Sequence, residues 1–449
     1  MKRKIYDRLA QWKRESGGKT ALLIEGARRV GKSYIVEEFG RNEYESYVLI
    51  NFSNTTSRIK NLFINDVHDI PMLLQKLSNL TATRFVERNT LIIFDEVQKW
   101  PRAREAIKFL VADGRYDYIE TGSLISIHEN VKDIIIPSEE EKIRMYPMDF
   151  EEFCWALDDV VTVPTIREHF ETRKPLGNDI HASFLDTFRK YMIVGGMPMA
   201  VKEYATSKDF YKVERIKRQI IELYREDIGK RAAINKRKTS ALYDAIPAEL
   251  SKHDKVFNIA DIDKNGRFAN YNDPIYWLED SMIVNTCYNS SEPGIAMGLN
   301  RDLATVKLYS GDTGLLISMA IDTGTSTENE IYIDILQDRL HINEGMFAEN
   351  VVAQILRANG YRLFFHSFYK KKEDGTKSKN RSEVDFLIKD GKKISAIEVK
   401  TGKSTGHSSL DYLMDVYSKQ LGQCYVLHTK DLRKEGKLLY LPIYMAICL

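Results

Sequence analysis

The chain of 449 residues is 43% hydrophobic and 29% charged, and 66 basic against 64 acidic side chains leave a net charge of +2. This describes a folded chain of about three domains and excludes binding to nucleic acid by overall charge, though not by a local basic patch. Four scattered cysteines, Cys154, Cys287, Cys424 and Cys448, form no C-x-x-C pair, which speaks against zinc or a disulfide framework and for a reduced, cytoplasmic protein; no apolar run reaches the ~18 residues of a membrane span, and charged Met1–Arg14 is no signal peptide.

Tyr6–Arg14 predicts a short amphipathic helix, Ala21–Ile24 a buried strand and Gly31–Phe39 a helix. Between strand and helix lies GARRVGKS, Gly26–Ser33, which fits the phosphate-binding P-loop pattern G-x-x-x-x-G-K-[ST]. Glycines let the backbone turn its N–H groups inward, and the helix N-terminus adds partial positive charge. Lys32 is positioned to reach the β- and γ-phosphates, and the Ser33 hydroxyl to hold Mg²⁺. The nucleotide-binding set read from this stretch is Gly26, Arg28, Arg29, Val30, Gly31, Lys32, Ser33 and Tyr34.

Ser46–Phe52 predicts a second strand, Asn54–Lys60 a polar loop and Asp69–Leu80 a helix with apolar residues at helical spacing. In TLIIFDEVQ, Thr90–Gln98, an apolar run ends in two acids. A buried parallel strand delivers such acids at its C-terminal edge, where ligands bind. Asp95 would act on Mg²⁺ through its water shell, and Glu96 would orient or deprotonate the attacking water. Trp100–Ala112 predicts a helix and Tyr116–Ser123 a strand, with Thr121 and Ser123 beside the γ-phosphate.

GARRVGKS, FDEVQ (Phe94–Gln98), ETGSL (Glu120–Leu124) and YPMDFEEF (Tyr146–Phe153) follow one another. With VGGMP (Val194–Pro198), YREDI (Tyr224–Ile228) and GDTGLL (Gly311–Leu316), they resemble a family of bacterial and archaeal P-loop ATPases of the AAA superfamily whose C-terminal region is nuclease-like. The resemblance spans nearly the whole chain. It implies an α/β architecture, with an AAA-type P-loop NTPase parallel sheet over 1–155, a helical lid over 156–235 and a restriction-endonuclease-like α/β domain over 326–449; the residue pattern of 236–325 adds a winged-helix-like domain between them. It also raises ATP, DNA and further copies of the chain as partners.

Phe150–Lys238 reads as largely helical, and Lys212–Arg237 is crowded with bases, interspersed with Glu214, Glu222 and Glu226. An ion-paired, solvated helix face is the plainer reading. The sharper one makes Arg225 or Arg231 an arginine finger, a role for which Arg28 and Arg29 compete. Lys236–Asn289 has winged-helix grammar: helices Ser240–Leu250 and Asn272–Ile283, then wing strands Val284–Tyr288 and Lys307–Tyr309. Tyr271–Asp280 carries three acids and no base, which favours a packing module over a DNA reader.

Helix Ile342–Asn359 carries Glu349, and strand Leu363–Phe368 is followed by a basic loop, Lys370–Arg381. Strand Val384–Ile388 with Asp385 then turns at Asp390–Gly391 into Ile394–Lys400, which carries Glu398 and Lys400. Helix Leu410–Leu421 and strand Cys424–Leu427 close the region. An acid opposite Glu-x-Lys suits metal-dependent phosphodiester cleavage: Asp385 and Glu398 as oxygen ligands of a second divalent metal, and Lys400 on the face of Glu398 as activator of water or neutraliser of charge. This resembles the PD-(D/E)xK nuclease core with Val384 in place of the proline, and Glu349 matches that family's helical acid. Lys370, Lys371, Lys372, Lys377, Lys379 and Arg381 would then face a DNA backbone. Two functions follow: a Mg²⁺-dependent ATPase switch coupled to a nuclease acting on DNA, or a nucleotide-regulated interaction protein whose nuclease-like domain only binds. A small-molecule kinase fits the paired acids less well.

Overall fold

Six consecutive residues, Ala21–Gly26 (β1), are buried at every position, as a central strand covered on both faces must be. The computed structural model describes residues 1–122, 138–231, 235–321, 344–371, 376–402 and 406–449. It divides into two compact units, Met1–Pro147 with Asp280–Met282, and Met148–Glu279 with Ile283–Leu449.

In the first unit, helices Ile5–Ser16 (α1), Lys32–Glu43 (α2), Ser57–Asn65 (α3), Ile70–Thr81 (α4) and Pro101–Asp113 (α5) alternate with β1 and with strands Ser46–Asn51 (β2), Thr90–Asp95 (β3), Asp117–Gly122 (β4) and Glu140–Met145 (β5). The five strands are all parallel, in the order β2-β3-β4-β1-β5. β1, β3 and β4 are buried throughout, and Phe52, Phe63 and Phe94 pack edge to face in the core beside them.

Two elements depart from expectation. The polar stretch expected as a loop begins α3: the Thr56 hydroxyl accepts from the Ile59 N–H at 3.4 Å, and Leu62 and Phe63 turn inward. A side-chain N-cap of this kind offsets the loss of backbone partners at a helix start. β5 carries no apolar pattern, yet it pairs in register with β1 from Ala21↔Glu140 to Gly26↔Met145. As an edge strand it needs only part of its surface apolar, and Glu140 is neutralised by a buried two-pronged contact with Arg104 at 2.9 and 3.2 Å.

The second unit begins with helices Phe150–Ala156 (α6), Thr162–Thr172 (α7), Asn178–Val194 (α8), Pro198–Ser207 (α9), Phe210–Arg231 (α10) and Lys236–Leu250 (α11). Asn272–Asp280 (α12), strands Val284–Ser290 (β6) and Arg301–Ser310 (β7), and Thr313–Ala320 (α13) follow. Then come Glu344–Ala358 (α14), Leu363–Lys371 (β8), Lys377–Asp390 (β9), Lys393–Val399 (β10), Ser408–Val416 (α15), Leu421–His428 (β11), Arg433–Glu435 (β12) and Leu438–Pro442 (β13). One mixed sheet joins them in the order β12-β13-β11-β10-β9-β8-β6-β7. The strands expected as a wing therefore differ in place: β6 and β7 form an antiparallel pair, and β6 runs parallel to β8 inside this sheet. β6 is buried at all seven positions, which a solvent-facing wing cannot be. The expected basic loop is largely strand too, with β8 and β9 paired from Phe364↔Leu387 to Lys371↔Lys377.

The VGGMP and GDTGLL stretches meet in this unit. The Asp312 carboxylate accepts from the Gly196 N–H at 2.6 Å and caps α13 through the Leu315 N–H at 3.0 Å. A Cβ on Gly196 would lie 2.1 Å from the Met148 carbonyl, and one on Gly314 would lie 2.6 Å from the Val194 carbonyl. Only glycine permits approach this close. Lys217, fully buried on α10, bridges the same joint by donating to the carbonyls of Ile193 at 2.9 Å and Gly314 at 3.3 Å. The basic helix is thus ion-paired, but partly in the core: Lys217 and Arg218 both reach the buried Glu214, at 3.2 and 2.8 Å.

Candidate functional site

The P-loop runs from the C-terminal end of β1 into α2 at the edge of the first sheet. A Cβ on Gly26 would lie 2.5 Å from the Met145 carbonyl, so the end of β5 demands glycine there. Arg29 at φ 70° and Gly31 at φ 98° bend the loop back toward the start of α2, and the buried Val30 fixes it from below. The Arg3 guanidinium clamps the outside, donating to the carbonyls of Val30 at 2.9 Å and Tyr146 at 2.8 Å.

Lys32 is buried, and its ammonium donates to the Gly26 and Ala27 carbonyls at 2.8 and 2.9 Å. Burial lowers its pKa to about 8, against the pull of Glu96 and Asp95. Asp95, also buried, is surrounded by neutral donors: the Ser33 hydroxyl at 2.7 Å, the Thr121 hydroxyl at 2.5 Å and the Asn51 amide at 2.7 Å. Glu96 takes a left-handed conformation, φ 54°, which is strained for a residue with a Cβ. Its N–H donates to Thr121 at 3.3 Å, and the Gln98 amide donates to its Oε2 at 2.6 Å.

The structure thus brings Lys32, Ser33, Asp95, Glu96 and Thr121 together, while Ser123 lies outside the described residues. Arg28 and Arg29 on the loop and Tyr34 on the first turn of α2 are exposed. Of the arginine-finger candidates, Arg225 is engaged by Glu222 at 2.7 Å and Asp244 at 3.0 Å, and the side chain of Arg231 lies outside the described residues. Sequence reasoning missed Asn51, Gln98 and Arg3. Asn51 reaches Asp95 because β2 and β3 pair in the register Asn51↔Asp95, which the sequence does not state.

In the second unit, a cleft of about 330 Å³ is lined by Glu349, Asp385, Glu398 and Lys400 together with Lys255, Arg381 and Glu383. The β9–β10 hairpin closes through Asp390↔Lys393 with Gly391 at φ 58°, and Asp385 and Glu398 follow the pair Phe386↔Ile397. Asp385 accepts from the Val399 N–H at 2.8 Å. Burial and the carboxylates of Glu349 and Glu398 push it well above the ordinary carboxylate range. Burial also raises Glu398, against the Lys400 ammonium 2.7 Å away. Its Oε2 is buried and has no hydrogen-bond partner among the described residues.

Glu349 differs from these two. Lys255 takes its Oε1, and the Tyr309 hydroxyl donates to its Oε2 at 3.2 Å. On β7, Lys307 is buried beside Glu383 at 2.7 Å. Burial alone would lower its pKa, but Glu383, Glu349 and Asp385 hold it above the usual lysine value. The donor set suits a divalent cation in chemistry, since it is all oxygen and includes the orphan Glu398 Oε2. Among the described residues, however, no group of three or more His, Cys, Asp or Glu side chains is spaced to hold a metal ion. Of the expected DNA-facing bases, Lys370 bonds to Ser408 and Arg381 to Ser367. Lys372 and the side chains of Lys371, Lys377 and Lys379 lie outside the described residues.

Residues 18–154 match the family model of an AAA domain. Residues 185–328 match a domain of unknown function (DUF8612) and residues 344–445 another (DUF4143). No curated protein matches the chain. Among solved structures, the ORC1 protein of Aeropyrum pernix in complex with DNA is 12% identical over 71% of this chain and 91% of its own, with a TM-score of 0.27. A Signal Transduction ATPase with Numerous Domains protein with a tetratricopeptide repeat sensor, from Pyrococcus horikoshii, is 12% identical over 79% of this chain, which spans 48% of that protein, with a TM-score of 0.25. Protein VC1899 of Vibrio cholerae is 12% identical over 95% of both chains at a TM-score of 0.19.

The parallel sheet, the P-loop and the family match define the first unit as an AAA-type P-loop ATPase domain. The DUF8612 and DUF4143 matches cover most of the remainder, and the mixed sheet draws strands from both. No helix among the described residues is long and apolar enough to cross a membrane.

Proposed function

We propose that this protein is a Mg²⁺-dependent ATP-hydrolysing switch whose nucleotide state governs a C-terminal cleft that cuts DNA. The observation that carries the first half is the set of Lys32, Ser33, Asp95, Glu96 and Thr121 held at one edge of a parallel sheet. Loop N–H groups and Lys32 bind the phosphates, with Lys32 exchanging the Gly26 and Ala27 carbonyls for phosphate oxygens. Ser33 would hold Mg²⁺ through its hydroxyl and Asp95 through the ion's water shell, and the ion would neutralise charge on the transferring phosphoryl group. Glu96 takes the proton of the attacking water on a carboxylate oxygen, and Gln98 fixes which oxygen is left for that work. Thr121 joins the N–H of Glu96 to Asp95.

The test is release of free phosphate from ATP with no acceptor present. Release that stops in Lys32→Ala supports hydrolysis; phosphate that appears only on an added acceptor supports a kinase. For the cleft, Asp385, Glu398 and Lys400 support metal-assisted phosphodiester hydrolysis. Nicking of plasmid DNA with Mg²⁺ or Mn²⁺, lost in Asp385→Ala, is the expected result. A second reading, a nucleotide-regulated binding module, draws on the pairing of Glu349, Glu383 and Glu398 with lysines. Absence of cutting under every nucleotide condition favours it.

A further inference from the structure

The P-loop is gripped from outside by a residue that the loop motif does not contain. Arg3 lies just before α1 and is 6% exposed. Its Nη1 donates to the Val30 carbonyl at 2.9 Å and its Nη2 to the Tyr146 carbonyl at 2.8 Å. Tyr146 directly follows β5. The loop is therefore tied to the exit of that strand at two points: Gly26 abuts the Met145 carbonyl, and Val30 is joined to Tyr146 through Arg3. A guanidinium is planar and its N–H groups form a rigid fork, so it fixes the separation of the two carbonyls it holds.

The first of these bonds decides which way a peptide unit faces. Among the described residues no peptide is cis, and in a planar trans unit the C=O and the N–H point to opposite sides. With the Val30 carbonyl turned out to Arg3, the Gly31 N–H is turned to the inner side of the loop. That N–H donates to no group among the described residues. Hydrogen bonds in series also polarise one another, so a guanidinium on the carbonyl side makes the N–H on the other side a stronger donor.

We propose that Arg3 is a positioning residue for the nucleotide: acting through the Val30–Gly31 peptide, it aims the Gly31 N–H at the phosphates of ATP and strengthens it as a donor. The inference rests on the reading of the loop as an ATP site. It assigns to Arg3 a part in binding and not in turnover. An N–H that meets the phosphates equally before and during the reaction lowers KM and leaves kcat alone.

Release of phosphate by the full chain, followed against ATP concentration with Mg²⁺, tests this in wild type, Arg3→Met and Arg3→Lys. Inorganic pyrophosphate, which has neither base nor sugar, serves as competitive inhibitor and reads the phosphate site by itself. In Arg3→Met the KM for ATP and the pyrophosphate inhibition constant should both rise roughly tenfold, the loss of one hydrogen bond to a charged group, while kcat stays within about twofold of wild type. Arg3→Lys keeps the charge without the fork and should fall between the two. Near-UV circular dichroism establishes that each variant is folded, and Arg3→Lys, with an expected rise of about threefold, carries the comparison if Arg3→Met is not. Both constants unchanged overturn the inference and leave the ATP site. A lower kcat at unchanged KM makes Arg3 a support of the fold alone, and a rise in KM that pyrophosphate does not share places its effect away from the phosphates; either result overturns the inference. Wild type that neither binds ATP nor releases phosphate overturns the inference and the ATP-site reading together.

Discussion

The P-loop site and the C-terminal cleft use the same residue types in opposite ways. At the P-loop, Lys32 is held by neutral carbonyls and Asp95 by neutral hydroxyls and an amide. Acid and base are each bonded to neutral groups and not to one another. In the cleft, Lys255, Lys307 and Lys400 each bind a glutamate, so the charges compensate one another. The first arrangement is built to exchange partners. The second is cross-linked, and a ligand must displace an ion pair to enter.

This contrast can be broken in several places. The largest effect is expected for Glu96→Gln, which should keep ATP binding and slow turnover by roughly 10²–10⁴, the contribution of a general base; normal phosphate release from this variant would remove Glu96 from that role. Next is Glu383→Gln, which leaves the fully buried Lys307 without its ion-pair partner and should cost about 3 kcal/mol in denaturant unfolding. Adding Lys307→Met should restore most of that loss, and a double variant as unstable as the single one contradicts cross-linking. Asn51→Ala removes one neutral donor from Asp95 and should reduce turnover roughly tenfold, the loss of about 1.5 kcal/mol from a hydrogen bond to a charged group.

The smallest effect is a proton. Free Lys32 titrates near pH 8 because burial disfavours its charge, and a bound triphosphate favours that charge and raises the pKa again. ATP binding at pH 8 should therefore take up about half a proton, and almost none at pH 6.5. Calorimetry in buffers of different ionisation enthalpy measures this. Equal uptake at both pH values would show that Lys32 stays charged throughout.

The ATPase edge was legible in the sequence because its chemistry is local: a loop and a strand end each carry their own pattern of residues. Asn51 was not legible, because its place beside Asp95 depends on the register of β2 against β3. Nor was β5, since four of its six residues, Glu140, Glu141, Lys142 and Arg144, are charged and only pairing with β1 makes it a strand. The place of β6 and β7 was misread for the converse reason. A short apolar hairpin looks the same as a wing or as the edge of a large sheet, and only β8, some 70 residues later, decides between them. Lys255 had no signal at all, because no spacing rule connects a loop lysine to a helix glutamate 94 positions away.

The contact of Gly195, Gly196 and Gly314 with Asp312 bears on how this chain can be divided. Two strips of backbone more than 110 residues apart fit like the halves of a clasp, closed by the Asp312 carboxylate on the Gly196 N–H. A fragment that ends anywhere between them leaves α8 without its counterpart. The stretch 185–328 recognised as one domain contains both halves, so whatever is cut away around it, that stretch has to be made in one piece.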